Sequence, residues 1–472
     1  MPVRALLFVM LCGLACVARA AEIRFDPDRM AVVNGERTFV LGLYETFEDI
    51  VDYRTVSDAG FNLVRSPGTQ AELDHLALLG LNVWIQTGDS IDLSEDRSNR
   101  VAQLRRLVEQ FGQHPTLLTW EVPDEALWHA WYAPVQWRVH DEPNQLRVLT
   151  SGENSKRSSV DMRERLERLD ALYEAGKYSD GEIEADAIWK AFGKEQPHPD
   201  LSIGNGAARA EKLQRGLIEG YHFLKTLDAH HPVWMNHAPR NQIASLAAIN
   251  EGADIVGCDI YPAPSFGHDH SDIADQTLSA VGAYTRRMQA ASPEKPVWMV
   301  LQAFGWKDLL KEDDGINEVR HRRPSVYELR FMAYDAIVHG ARGVLYWGTT
   351  HIEKPSKLWS DLLVTVRELA DLQPVLSAHD AVIRPRVAVG GAWGSVDRTV
   401  ELLAKDIDGR VTLIIVNEWN ERLDYRVSGL DSHEGQTFTD GSQDVKITVA
   451  NGEFASSIAG YGVHVLQPVG MK

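Results

Sequence analysis

Leu117-Leu118-Thr119-Trp120-Glu121-Val122-Pro123-Asp124-Glu125 is the stretch on which the fold turns. Its apolar, β-favouring front half predicts a strand. Pro123 has no N–H to give a sheet and holds its φ, so the strand must stop there. Asp124 and Glu125 are then left just beyond the strand's C-terminal end, where parallel α/β barrels carry their chemistry. Taken alone, the pair also fits a helix N-cap followed by a first-turn acid.

Outward from this stretch the chain alternates. Strands are expected at Thr38–Glu45, Phe61–Ser66, Leu81–Thr87, Leu117–Glu121, Pro232–His237, Asp254–Tyr261, Pro296–Phe304 and Gly343–Gly348. Helical patterns such as Val101–Phe111, Leu278–Ala290 and Val326–Val338 separate them. Strand then helix, eight times, predicts an α/β fold, a (β/α)8 TIM barrel. Most of the strands are near-continuous apolar runs, as burial on both faces requires. The rival, an open doubly wound sheet, lacks its glycine-rich phosphate loop after the first strand. The lead-in Glu22–Arg37 fits a strand pair at the barrel floor.

Two segments fall outside the rhythm. Between Glu125 and a helix near Glu211–Leu227 lie roughly eighty residues where two to six would serve. This insertion, about 126–210, carries helical spacing over Met162–Gly176 and Glu182–Phe192, and Trp128, Trp131, Tyr132 and Trp137 near its start. It fits a lid or one wall of a cleft, or a helical unit that packs those aromatics onto the barrel. From about Arg386, short alternating stretches are broken by Asp-Gly and Asn-Gly turns, which predicts a small antiparallel β-sandwich. The expected organisation is a targeting segment over 1–20, a barrel over 21–380 and the sandwich over 381–472.

Composition narrows the function. The formal net charge is −19, and no basic stripe is present to neutralise phosphates, so nucleic acid is not an expected partner. Residues 1–20 start with Arg4, continue through an apolar run Ala5–Val17 and end in Ala18-Arg19-Ala20, the pattern of a cleaved export signal. A periplasmic or extracellular location follows, with lipidation at Cys16 a poorer fit. The run is too short to span a bilayer, and no other stretch qualifies as a transmembrane segment. Without this segment, Cys258 is the one cysteine left, and beside Asp259 in a strand it fits a small buried side chain. The 13 Trp residues offer flat faces of the kind that hold sugar rings, although large cores use Trp too.

The strand ends supply Tyr44 and Glu45, Arg65, Gln86 and Asp89, then Glu121, Asp124 and Glu125. Next come Asn236 and His237, Asp259 and Tyr261, Gln302, Phe304 and Trp306, and finally Trp347 and His351. No His/Cys/carboxylate set has readable zinc spacing, so neither a metal nor an organic cofactor is expected. Carboxylates and aromatics at a barrel mouth suit glycosidic cleavage. One carboxylic acid protonates the leaving oxygen, and a second carboxylate attacks the anomeric carbon or activates water.

Trp120-Glu121-Val122-Pro123-Asp124-Glu125 resembles the strand-four W-x-x-x-N-E of a large glycoside hydrolase clan, clan A. These are (β/α)8 retaining enzymes and include many β-galactosidases, β-mannanases and cellulases. Asp254–Pro262, Val297–Trp306 and Arg323–Trp347 resemble that clan's strands six and seven and its approach to strand eight. The resemblance implies a carbohydrate substrate, with Glu125 as acid/base and Trp347 as a sugar platform. Two positions depart from the pattern. The clan's strand-four Asn is Asp124 here, and its strand-seven nucleophilic Glu is Gln302, an amide that cannot attack. Asp259 is then the first candidate for the second carboxylate, Glu45 the second and Asp124 the third. Strand parity puts Asp259 and Tyr261 on one face, and an Asp259–Glu125 separation of about 6.5–9.5 Å would admit water and give inversion. Tyr44, Glu45, Arg65, Asp124, Asn236, His237, Tyr261, Gln302, Trp306 and Trp347 complete the expected substrate-binding set, with Arg65 and His237 orienting carboxylates. The rival reading is a glycan-binding barrel that has lost its nucleophile at Gln302.

Overall fold

Eight parallel strands close on themselves: β1 (Val40–Leu43), β2 (Leu63–Arg65), β3 (Asn82–Gln86), β4 (Leu117–Glu121), β5 (Val233–His237), β6 (Ile255–Ile260), β7 (Val297–Gln302) and β8 (Gly343–Trp347). The computed structural model describes residues 21–470 apart from 47–49, 67, 152–158, 266–270, 311–316, 391–398, 442 and 444. The targeting segment expected over 1–20 therefore lies outside the described residues. Among the described residues, no helix is long and apolar enough to cross a membrane.

Large aromatics fill the barrel. Trp84, Trp234 and Trp298 are fully buried and pack with Val40, Leu63, Leu118, Ile255, Val300 and Leu345. The backbone of β7 and the Trp234 ring together leave no room for a side chain at one point on β6. A Cβ on Gly257 would lie 2.1 Å from the Trp298 carbonyl oxygen and 3.1 Å from the Trp234 ring nitrogen, so only glycine lets β6 pass the central indoles. Below, the lead-in is a three-stranded antiparallel sheet (Ile23–Phe25, Ala31–Val33, Glu36–Thr38) rather than a strand pair. Its Ile23 and Ala31 pack against the barrel residues and close the floor. Thr38 belongs to that sheet, which is why β1 starts later than the sequence predicts.

The insertion after β4 is helical: Ala126–Val135, Glu142–Ser151, Ser159–Glu174 and Tyr178–Ala191 precede the long helix Gly206–Leu227. It has a small core of its own, formed by Leu146, Leu169, Tyr173, Ala185, Ile188 and Trp189. Buried Arg138 holds it together through Glu142 at 3.0 Å and Asp186 at 2.9 Å. Beyond the barrel, a six-stranded and a three-stranded antiparallel sheet face each other across Tyr425, Val427, Phe438 and Leu466. This is the β-sandwich.

Candidate active site

Strand β4 carries an irregularity that aims its last residues. Its pairing with β3 shifts between Val83 and Trp84, a bulge of the kind that re-aims side chains beside active sites. Trp120 points out to the helices, where its Nε1 donates to Asp228 at 2.8 Å. Glu121 points into the barrel. Its Oε1 accepts from the Tyr44 hydroxyl and its Oε2 from Trp84 Nε1 at 3.0 Å, and Gln86 adds a third bond. Burial above the indole plug, with the charge of Asp124 nearby, pushes the Glu121 carboxyl up to about 8 against those bonds.

Glu125 sits at the N-cap of the helix Ala126–Val135 with φ 49°, in the left-handed region, and its side chain makes no capping bond. Such a conformation costs a non-glycine residue roughly 1 kcal/mol and is typical of functional positions. The strain turns the side chain inward. The Glu125 carboxyl, 25% exposed, hydrogen-bonds the carboxyl of Asp259, which is 3% exposed at the end of β6. Burial, then the Asp124 charge, push Glu125 up to about 7 although the Asp259 hydrogen bond opposes them. Burial and the charges of Glu125 and Asp124 hold Asp259 well above the carboxylate range. The two share a proton near neutrality. The expected gap of about 6.5–9.5 Å is absent: the two carboxyls are in hydrogen-bond contact.

Asp124 lies between these groups. Its Oδ1 accepts from Asn236 Nδ2 at 3.0 Å, and the Tyr44 hydroxyl is within reach of its carboxylate. Two buried acceptors here, Asn236 Oδ1 and Asp259 Oδ1, have no partner among the described residues. Tyr261 and Trp347 stack at 5.5 Å, and Phe304 meets Trp347 edge-on at 5.1 Å and Trp306 at 5.2 Å. They make an aromatic wall on the β6–β8 side. Arg65 is bonded to Gln86 and so belongs with the Glu121 network. On the other side a cleft of about 810 Å³ runs past Pro123, Asp124 and His129 to Asp89, Asp92, Arg209 and Lys212.

Three expected site residues serve the scaffold instead. Glu45 folds under the loop after β8 and accepts from the backbone of Gly348 (3.0 Å), Thr349 (2.8 Å) and Thr350 (3.1 Å), and from both threonine hydroxyls. His237 has the opposite parity to Trp234 and Asn236, lies buried outside the barrel, and bonds Asn250 at 2.7 Å. Burial lowers its imidazole to about 4, so it stays neutral. Gln302 receives the Ala263 N–H at 2.8 Å and donates to the carbonyls of Ala263 at 2.7 Å and Phe304 at 3.0 Å. Both its amide hydrogens and one lone pair of its oxygen are therefore committed to the backbone. Conversely, Glu121 was not among the site residues expected from sequence. A carboxylate at the last position of an otherwise apolar strand was the signal.

Among the described residues, one group brings three potential metal-ligand atoms within 4.8 Å of one another: Asp335, His339 and Glu418. It lies away from the mouth, between the helix Val326–Val338 and the sandwich, and Arg286 Nη1 already contacts the His339 ring at 2.8 Å.

No family model matches the sequence, and no curated protein does. The fold has counterparts among solved glycoside hydrolases. A β-galactosidase from Bacillus circulans sp. alkalophilus aligns over 92% of this chain and 99% of its own, with TM-score 0.52 and 10% identity. A family 5 glycoside hydrolase from Bacteroides vulgatus aligns over 95% of this chain and 93% of its own, with TM-score 0.51 and 13% identity. A β-galactosidase from Halorubrum lacusprofundi aligns over 70% of this chain with TM-score 0.44 and 16% identity, and this chain spans 58% of its length. The chain is thus a (β/α)8 barrel followed by a C-terminal β-sandwich, and its likeness to these solved glycoside hydrolases is one of fold.

Proposed function

We propose that the protein is an O-glycoside hydrolase acting on a carbohydrate at the C-terminal mouth of the barrel. The observation that carries this is the buried Glu125–Asp259 carboxyl pair, with Glu125 at about 7. A carboxyl that keeps its proton near neutrality can give it to a departing glycosidic oxygen. Glu125 is the donor, because it keeps a path to solvent, and Asp259 shares and returns the proton. Half-buried Trp347, backed by the stacked Tyr261 ring, offers a face on which a sugar ring rests. The pattern of residues 1–20 supports export to the periplasm or beyond. Release of reducing sugar from a glycan panel by wild type, and its loss in Glu125→Gln, tests the reading; equal release by both would overturn it. Activity surviving a chelator is expected, since the proton donor works without a metal. The commitment of Gln302 to the backbone favours one rival, a barrel that binds glycans without cleaving them. Binding by wild type without product would establish that rival.

A further inference from the structure

An acid alone does not cleave an acetal by either two-carboxylate route; a nucleophile or a water-activating base must stand opposite. Among the described residues, no carboxylate stands in that place. The end of β7 has Gln302, whose amide is spent on Ala263 and Phe304. Glu121 is sealed beneath the mouth by Tyr44, Trp84 and Gln86. Asp259 touches Glu125, whereas the two-carboxylate routes need about 5–5.5 Å for retention or 6.5–9.5 Å for inversion.

What the site does hold is a receptor for a small amide. Asp124 adjoins Glu125 in the chain and is steadied by Asn236 at 3.0 Å. Two of the buried polar atoms here, Asn236 Oδ1 (residue 1% exposed) and Asp259 Oδ1 (residue 3% exposed), are acceptors without a donor among the described residues. The wall of Tyr261, Phe304, Trp306 and Trp347 suits a methyl group. One ligand group combines an N–H, a carbonyl oxygen and a methyl: the acetamide of a 2-acetamido sugar.

We propose that the substrates are 2-acetamido-2-deoxy-β-glycosides and that the substrate's own acetamide replaces the missing nucleophile, oriented by Asp124. This rests on the hydrolase reading above. The acetamide carbonyl oxygen bonds to the anomeric carbon as the bond to the leaving oxygen breaks. That oxygen keeps the electron pair and takes the Glu125 proton, while Asp124 accepts the hydrogen bond of the increasingly acidic amide N–H. A solvent water then bonds to the anomeric carbon and gives its proton to Glu125. The ring oxygen–carbon bond of the oxazolinium opens and restores the acetamide, with the β configuration retained.

The test uses the full chain with the 4-nitrophenyl β-glycosides of N-acetylglucosamine, N-trifluoroacetylglucosamine, glucosamine, glucose and galactose, and with β-1,4 oligomers of N-acetylglucosamine. The N-acetyl substrates are expected to turn over at least about 100-fold faster than the 2-hydroxy and 2-amino ones, with the trifluoroacetyl analogue slowed because its carbonyl is a poorer nucleophile. Asp124→Asn should cut kcat by about 10²–10³, and a thiazoline mimic of the fused ring should raise the melting temperature of wild type but not of this variant. Comparable turnover of 2-hydroxy glycosides, insensitivity to fluorination, or an inverted product overturns the assisted mechanism and leaves the hydrolase reading standing. No turnover of any glycoside, with no thermal response to the thiazoline, overturns both.

Discussion

Glu125→Gln makes a prediction that needs no substrate. The carboxyl of Glu125 stands at about 7 against an ordinary 4.5, a difference worth roughly 3 kcal/mol. Its value in the folded chain lies above the unfolded one, so the folded state holds this proton more tightly. The stabilisation is whole below about pH 4.5 and drains away as pH rises to about 7. The glutamine cannot titrate and takes no part in that loss. Between pH 4.5 and pH 8 the melting temperature of wild type should therefore fall further than that of the variant, by roughly 3 °C for a chain of this size. Scanning calorimetry at the two pH values measures it, and taking the difference between proteins cancels the titrating groups that do not interact with Glu125. Because the proton belongs to the pair, Asp259→Asn should flatten the same window, and the double variant should add little to either single one. Parallel pH profiles for wild type and Glu125→Gln would refute the carboxyl pair and with it the proposed acid.

Gln302→Glu, which restores a carboxylate to the end of β7, should destabilise the fold by about 2–5 kcal/mol in urea unfolding and give no activity, since the new charge would face the carbonyls of Ala263 and Phe304. Glu45→Ala should cost about 2–4 kcal/mol by the same measurement, as the donors of the loop after β8 lose their shared acceptor. Tyr44→Phe removes a bond that lowers the Glu121 carboxyl, so Glu121 should titrate still higher than about 8, seen by carboxyl NMR or infrared titration. Gly257→Ala should fail to fold or lose several kcal/mol, because its methyl would press on the Trp298 carbonyl at 2.1 Å.

The barrel was legible because burial on both faces writes each strand as an unbroken apolar run, and β4 matches its expected span, Leu117–Glu121. The other strands are one to four residues shorter than expected and lose no more than two at either end, where polar residues, prolines and glycines such as Thr38, Glu45, Asn62, Ser66, Pro232 and Gly348 fall outside the barrel ladder. Side-chain destinations were less legible. Glu45 and Gln302 hold backbone groups supplied by loops far away in sequence, and no local pattern announces such partners. His237 was misplaced for a simpler reason: alternation from Trp234 already turns it outward, and its position at a strand end hid that. The bulge in β4 breaks alternation altogether, so the inward turn of Glu121 could not be counted from Leu117. The proximity of Glu125 and Asp259 depends on a left-handed residue that sequence does not flag when it is a glutamate.

The amide of Gln302 also limits what can be engineered at the end of β7. It fastens the turn at Ala263 through both its oxygen and its nitrogen, so a carboxylate placed there by a single exchange unfastens that turn in the same step. A redesign of this position has to rebuild the turn first and change the side chain second.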